Sequence, residues 1–526
     1  MNVKSQKSNI QKELVGIFLL ALCVYFIQSL AWPISPGRDF GSYLVYFVQI
    51  LVPNGELGYL DGMLKRTPLA PLFIGITALL GGSVLLEVFA SLCFATSITL
   101  VFVITNHWNK KSAYIATFLV LLYPPYASIF HFFSSDAIFA TAFFGWFLLI
   151  VKTVKNPSSK MFCFNGLYVF FMIMIRPGSQ VFLLFIFFPV FIFSLSPKQK
   201  IIRSGLFLCS SMMLILLYST YNYVRYDHFV IVRSFHAQIP MMRLFQEMSL
   251  IHPENGPASK EMATHIQNTL LAREPYLSKK ISIDTFFSSR SSRMWRDMKY
   301  LCDEVYGREN EFKHLALMSM EAIKTYPFQI LKAVTIDSLA AFKGDGFKPE
   351  APVSINNNQS NVALSLTDYV DEPKVYIAKR LSIDSENQPI PIASCELRAL
   401  EDTESLLRMV SMQKKINSLG LTIPNRDGLP GLASFFNKVT GLFPDMFTLL
   451  MIGLGGLLFS THYLRNTMFF VSCLAIMTVL LPVVGHYIIY QFRIPFDPLF
   501  IMLAVIGVVR SGEGFNINIF KQSLIT

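Results

Sequence analysis

The stretch RTPLAPLFIGITALLGGS, from Arg66 to Ser83, decides how this chain is threaded. Its apolar part, Pro68–Gly82, falls short of the roughly 20 residues an α-helix needs to cross a hydrocarbon core of about 30 Å. It also opens on two prolines, Pro68 and Pro71, which suit a helix start but not a helix interior. The basic loops settle the choice. If the stretch crossed, Lys110 and Lys111, Lys152 with Lys155 and Lys160, and Lys198 with Lys200 and Arg203 would all lie outside. If it does not cross, they join Lys4, Lys7 and Lys12 on the cytoplasmic side, as the positive-inside rule requires. The expected structure is therefore a helix that lies at the outer interface or enters without crossing.

Working outward, continuous apolar runs recur along the chain. They are Leu14–Trp32, Val84–Thr105, Ala113–Phe130, Ala137–Val154, Met161–Ile175, Gln180–Leu195 and Ser204–Tyr221, then Gly441–Ser460, Thr467–Gly485 and Pro495–Val509. The whole chain of 526 residues is 53% hydrophobic and only 15% charged, where a soluble protein carries roughly a quarter charged residues. Alternation of apolar and polar residues, the mark of an outer-membrane barrel, is missing. The reading is an all-α polytopic membrane protein with about ten transmembrane helices. Residues 1–222 form an N-terminal transmembrane module. Residues 223–440 form a large external, mostly helical segment, and residues 441–526 carry the C-terminal spans. Both termini are expected in the cytoplasm. The basic N-terminus lacks a small-residue cleavage site and is read as the start of a retained helix.

The net charge of +11 does not point to nucleic acid, because the Lys and Arg residues sit in short loops where they set topology. The seven Cys show no metal-ligand spacing. Cys302 and Cys395 fall in the polar segment, where a disulfide and two thiols are equal readings. Within that segment, 312–343 reads as helical with one break at Tyr326-Pro327, and 344–389 reads as loop or extended chain.

Threading this way makes residues 33–83 one external loop with interfacial helices. Phe40–Val52 is apolar, with Tyr43, Tyr46 and Phe47 at helical spacing, and aromatic rings favour the headgroup level. The loop carries Asp39, Lys65 and Arg66. Asp136, Arg176 and Arg493 lie at ends of later runs on the same face, while the cytoplasmic loops hold little beyond Lys and Arg. Any active site is therefore expected outside, away from nucleotide-activated donors.

Gly37-Arg-Asp after the first helix, then Arg66-Thr-Pro with Pro71-Leu-Phe, resembles the first external loop of bacterial GT-C glycosyltransferases. These are relatives of the protein O-mannosyltransferases and of the aminoarabinose transferase of lipid A. Tyr123-Pro-Pro-Tyr with Ser135-Asp-Ala-Ile-Phe is similar to their second external loop. Arg176-Pro, Asn222-Tyr-Val-Arg-Tyr and Tyr490-Gln-Phe-Arg-Ile-Pro-Phe-Asp-Pro extend the likeness over roughly the first 235 residues and the last 45. The resemblance implies a transferase in the bacterial inner membrane that takes a sugar from a polyprenyl-phosphate carrier. It implies Asp39 as base on the acceptor and Asp136 as the second-loop acid. Many relatives have an acidic residue or His before Lys-Pro-Pro in the first loop. Here Lys65-Arg66-Thr67-Pro68 stands instead, so metal or phosphate contacts of that motif are not carried over, and the sequence supports no cofactor or divalent metal.

Each residue also has a plainer role. Asp39 and Asp136 suit helix N-caps. Arg176 and Arg493 suit snorkelling at helix ends. A phosphate leaving group nevertheless needs fixed positive charge, which Arg supplies bidentately; Lys65, Arg66, Arg176 and Arg493 are the candidates. Glu87 lies near the outer end of a span, and His131 sits in an aromatic cluster that suits packing. The function expected is inverting glycosyl transfer from a polyprenyl-phosphate-linked sugar to a lipid, glycan or protein acceptor at the outer face. The alternatives are an O-antigen polymerase or ligase, which shares the external loop, and a lipid or sugar transporter, which places polar groups near the midplane.

Overall fold

The computed structural model describes residues 3–37, 39–51, 64, 66–232, 238–273, 276–343, 415–421, 423, 426–457, 462–485 and 492–523. Lys65, Cys395 and the stretch 344–389 lie outside the described residues, as do Tyr490 and Gln491 of the C-terminal motif. In chain order the elements of the first half are α1 (Val3–Ser29), β1 (Ser35–Pro36), α2 (Phe40–Leu51), α3 (Leu69–Asn106), α4 (Lys110–Leu121), α5 (Pro124–His131), β2 (Phe132–Phe133), α6 (Ser135–Lys155), α7 (Ser159–Ile175), a 3-10 helix (Pro177–Phe191) and α8 (Pro197–Tyr226). The polar segment adds α9 (Gln238–Met242), α10 (Pro257–His265), α11 (Ile283–Ser288), α12 (Ser292–Tyr306), α13 (Arg308–Thr325) and α14 (Pro327–Lys343). The chain closes with α15 (Pro430–Thr440), α16 (Met446–Leu457), α17 (His462–Gly485) and α18 (Asp497–Ser523).

Among the described residues six helices are long and apolar enough to cross a membrane: Gln11–Ser29, Leu69–Asn106, Ser135–Lys155, Pro197–Tyr226, Arg465–Pro482 and Ile494–Ser511. Their outer faces stay apolar. Val15, Leu19 and Ile27 on α1 and Ile201, Leu217 and Val224 on α8 are all exposed. A protein in water rarely leaves such contiguous faces open. This is consistent with an all-α membrane protein.

Three runs depart from the simple helical reading. First, Ala113–Phe130 is not one straight span: α4 and α5 meet at a 57° bend. The bend falls at Tyr123, just before Pro124 and Pro125. A proline biases the residue before it to extended backbone, and Tyr123 is indeed extended (φ −96°, ψ 95°). Second, Gln180–Leu195 is mostly 3-10 rather than α. Phe182, Phe185 and Phe188 recur every three residues, and i and i+3 eclipse in a 3-10 helix. All three rings are buried, with Phe185 stacked on Phe188 at 4.6 Å. At about 2.0 Å per residue the element still extends about 30 Å. Third, Gly441–Ser460 contains the shorter α16.

α3 bears on the deciding stretch. It is broken at Gly81 and Gly82, where φ/ψ leave the helical region and Gly82 takes φ 57°. A left-handed φ with ψ −146° is open in practice only to glycine. The first part, about 18 Å long at 1.5 Å per residue, packs its Gly75 against the Phe47 ring of α2. The second part continues to Asn106. α2 buries Phe40, Tyr43, Leu44, Tyr46, Phe47 and Val48, of which all but Tyr46 follow the i, i+3, i+4, i+7, i+8 stripe of an amphipathic helix.

The polar segment has a hydrophobic core of its own, centred on Phe245, Phe286, Phe287, Trp295, Met298 and Met318. Cys302 is buried in it. The expected break at Tyr326-Pro327 separates α13 from α14. Glu321 of α13 accepts from Ala258 N at 2.8 Å, Ser259 N at 2.9 Å and Ser259 Oγ at 2.7 Å. It thereby satisfies orphan donors at the start of α10.

Candidate active site at one end of the helix bundle

The site is assembled where the first two loops of the chain meet. Past α1 the chain runs extended, and Ser35–Pro36 pairs in parallel with Phe132–Phe133. Gly37 N donates to Phe133 O at 3.0 Å. A Cβ on Gly37 would lie 2.2 Å from Phe132 O, so the close approach requires glycine. Two residues further, Asp39 takes a left-handed φ of 63°. Ordinary N-caps are extended, whereas Asp tolerates this left-handed region better than most residues, as Asp227 does at the end of α8.

From that start α2 presents Ser42 and Tyr43. The Asp39 carboxylate meets Arg66 Nη2 at 2.9 Å, and the side chains are 33% and 24% exposed. Arg66 Nε donates to Ser42 Oγ at 3.2 Å, and its guanidinium lies 5.3 Å from the Tyr43 ring centre. Tyr43 is buried, and its hydroxyl shares a 2.7 Å hydrogen bond with Ser135 Oγ, 92 residues away in sequence. The charges of Arg66, Asp136 and Asp39 all act on that hydroxyl. Tyr43 is thus the link between the two acidic loops.

On the second loop, Ser134 caps α6 by accepting from Asp136 N at 3.2 Å. The Asp136 carboxylate instead meets Arg176 Nη1 at 2.7 Å. Arg176 ends α7, where the chain turns into Pro177. Its guanidinium lies 5.4 Å from the Phe139 ring and 4.9 Å from the Phe492 ring, a cation–π setting that holds the fork in place. Asp39, Arg66, Asp136 and Arg176 are therefore gathered at one end of the bundle in two neighbouring acid–base pairs.

Arg493 sits differently. It is 1% exposed, and its fork meets Asp497 through Nε at 2.9 Å and Nη2 at 3.4 Å. Tyr123 Oη donates to Asp497 Oδ2 at 3.1 Å, and Arg493 Nη1 donates to Ala341 O at 2.5 Å. Burying two charges costs several kcal/mol per ion before pairing, and this knot offsets the cost with four hydrogen bonds. It ties the end of α14 to α18 and α5.

Other candidates fall elsewhere. His131 is buried and stacked on Tyr25 at 4.4 Å. Glu87 meets Arg426 at 3.5 Å, where the returning polar segment touches the spans. At the opposite end of the bundle the basic residues collect. Lys110 pairs with Glu13 at 2.6 Å, Lys155 Nζ lies 2.8 Å from His107 Nδ1, and Arg510 donates to Trp108 O at 3.0 Å. Among the described residues no three His, Cys, Asp or Glu side chains gather to hold a metal ion. Reading the sequence missed Tyr43 as a site residue, along with Phe492, Tyr123 and Asp497. Of these, only Asp497 had a local signal, four residues after Arg493 on a helix start.

No protein-family model matches this chain, and no curated protein sequence matches it.

Proposed function

We propose that the protein is an inverting glycosyltransferase working at the outer face of a bacterial inner membrane. In this reading the ten apolar runs all cross, the shorter α7, 3-10 and α16 elements included, and both termini stay in the cytoplasm. The donor is a sugar on a polyprenyl phosphate; the acceptor is a lipid, glycan or protein group. One observation carries the proposal. Two carboxylates from separate loops, Asp39 and Asp136, converge on either side of Tyr43, each beside an arginine that water can still reach.

Asp39 takes the proton of the acceptor hydroxyl or amine as that atom bonds to the anomeric carbon. The bond from that carbon to the phosphate oxygen breaks, and the oxygen keeps the electron pair. Arg176 and Arg66 are placed to receive the developing phosphate charge, the kind of fixed stabilisation that dominates such steps. Arg493, buried and bonded through all three of its nitrogens, braces the site rather than touching phosphate. The collection of Lys and Arg at the opposite end supports the orientation.

The test is transfer by purified protein in liposomes supplied with labelled polyprenyl-phosphate sugars. Asp39→Asn keeps size and capping ability but accepts no proton, and transfer should fall by roughly 10²–10⁴ in correctly inserted protein. Near-normal transfer by that variant would end the base assignment. A cysteine at Lys155 should react only from the cytoplasmic side; labelling from outside would overturn the shared face.

A further inference from the structure

α14, the helix that follows Tyr326-Pro327 in the polar segment, has two unlike sides. One side meets protein. Asp337 pairs with Arg243, Ala341 and Phe342 are buried, and Ala341 O accepts from Arg493. The other side is open. Phe328, Leu331, Lys332, Thr335, Ile336 and Leu339 are all exposed, at the i, i+3, i+4, i+7, i+8, i+11 spacing of a single helix face. Of these, Phe328 is 84% exposed, Leu331 62%, Ile336 54% and Leu339 42%. None of the six belongs to the core of the polar segment. A helix on a water-soluble domain turns its apolar stripe inward, and a contiguous apolar face left open marks an interaction surface.

What meets the stripe follows from where α14 is rooted. Its last turn packs among the apolar helices. The Phe342 ring lies 5.7 Å from that of Phe500 in α18, and Lys343 Nζ lies 5.4 Å from the Phe447 ring centre at the start of α16. Phe500 stands six residues past Ile494, where the last apolar span begins, or about 9 Å along its axis. α14 also touches α17. These neighbours have apolar outer faces of their own, exposing Met451 on α16 and Leu481 on α17. The stripe thus starts at a depth where the bundle itself meets acyl chains. The end of the bundle is that of the acid pairs, since Phe492, next to Arg493, lies against Arg176. Charge agrees with this placement. Asp337 is the one acid of the helix and it faces Arg243, while Lys332 and Lys343 are exposed. Lysines beside an apolar helix face suit a membrane interface, with the stem along the chains and the ammonium among the headgroups.

We infer that α14 lies obliquely in the leaflet on the side of the acid pairs. Ile336 and Leu339 sit among the acyl chains, Leu331 and Phe328 at headgroup level, and Lys332 reaches the phosphates. The partner is the bilayer itself rather than one bound lipid. Through Ala341 and Arg493 the same helix is tied to the bundle, so the lipid holds the polar segment at the end where the site lies. The placement is independent of the transfer chemistry.

Tryptophans introduced into the full chain, in liposomes of brominated phosphatidylcholine, test it. The positions are exposed, and surface changes of this kind cost little stability. Bromines at the middle of the acyl chain should remove most of the emission added by Leu339→Trp. Bromines near the glycerol should quench Leu331→Trp more than mid-chain bromines do. Lys260→Trp, at an exposed position of α10, should keep its emission with either lipid. Added emission at both α14 positions that neither lipid quenches would overturn the inference, whether water or protein covers the stripe. So would a dimer of this chain that Leu331→Asp dissolves, which would make the stripe a self-association surface.

Discussion

Two arginine–aspartate pairs of the same chemistry stand close together in different surroundings. Arg176 and Asp136 are 13% and 12% exposed, while Arg493 and Asp497 are 1% and 0% exposed. The first pair is clamped against rings, with Asp136 buried and Arg176 only partly exposed. The second is sealed, with its hydrogen bonds met from Tyr123 and Ala341. An arginine bonded through all three nitrogens in a dry site stabilises the fold. One that keeps an accessible edge stays available to an anion. Residue type and position at a helix end are alike in both; access to water separates them.

The hardest way to break this comparison is within the sealed pair. Asp497→Asn leaves Arg493 buried without a counter-charge, a change that costs about 3–5 kcal/mol. Thermal unfolding in detergent should show a large loss of stability. A variant as stable as the unaltered chain would show that the knot is not sealed. Next comes the open pair. Arg176→Ala should cost less stability than Asp497→Asn, because Asp136 is less completely buried than Arg493, and should raise the KM for the polyprenyl-phosphate donor by about 10- to 100-fold, the worth of roughly 1.5–3 kcal/mol for hydrogen bonds to a charged group. Arg176→Lys should recover only part, because the fork is lost. If Arg176→Ala instead unfolds the protein with no change in KM, the two pairs are alike and the distinction fails.

A smaller effect probes the link between loops. Tyr43→Phe keeps the ring under Arg66 and removes only the bond to Ser135. Transfer should drop about fivefold, near the 1 kcal/mol net value of one hydrogen bond. Ser135→Ala should match it, and the double variant should be no worse than either alone. Additive losses would mean the two hydroxyls act separately.

The smallest effect lies in the polar segment, where a carboxylate again takes its role from its neighbours. Burial pushes the Glu321 carboxyl up, but the hydrogen bonds from Ser259 and Ala258 outweigh it and hold the group below its ordinary value. A depressed folded value means this contribution is present above the ordinary carboxylate range and is lost as pH falls through the folded value. Fluorescence of Trp295 should therefore report a core that weakens at acid pH. In Glu321→Gln that acid step should shrink, with the core weaker at neutral pH. An unchanged acid profile would remove Glu321 from the account.

Much of the fold could be read locally. The break of α3 at Gly81–Gly82, the end of α13 at Tyr326-Pro327 and the amphipathic face of α2 follow from residues within a few positions of one another. The 57° bend at Tyr123 was also latent in its two prolines, though an unbroken apolar run hid it. The three-residue recurrence of Phe182, Phe185 and Phe188 was visible, yet apolar runs of this length fit several periods until neighbours choose one. Of the site, the conspicuous charges Asp39, Arg66, Asp136 and Arg176 were legible, because ionised groups at the ends of apolar runs stand out. Tyr43 was not, since its aromatic ring explains itself as an interfacial anchor.

Hydropathy, proline, glycine and the placement of Lys and Arg act over one helix turn or one run, so the sequence alone determined an all-α chain with membrane-length apolar helices and its cations gathered at loops. What only the tertiary structure decided is partnership. The Tyr43–Ser135 bond joins residues 92 positions apart, and Tyr123 reaches Asp497 across 374. Those distances along the chain carry no periodic signal. Whether an arginine is dry or wet depends on which distant helices close over it, and that is fixed only when the bundle packs.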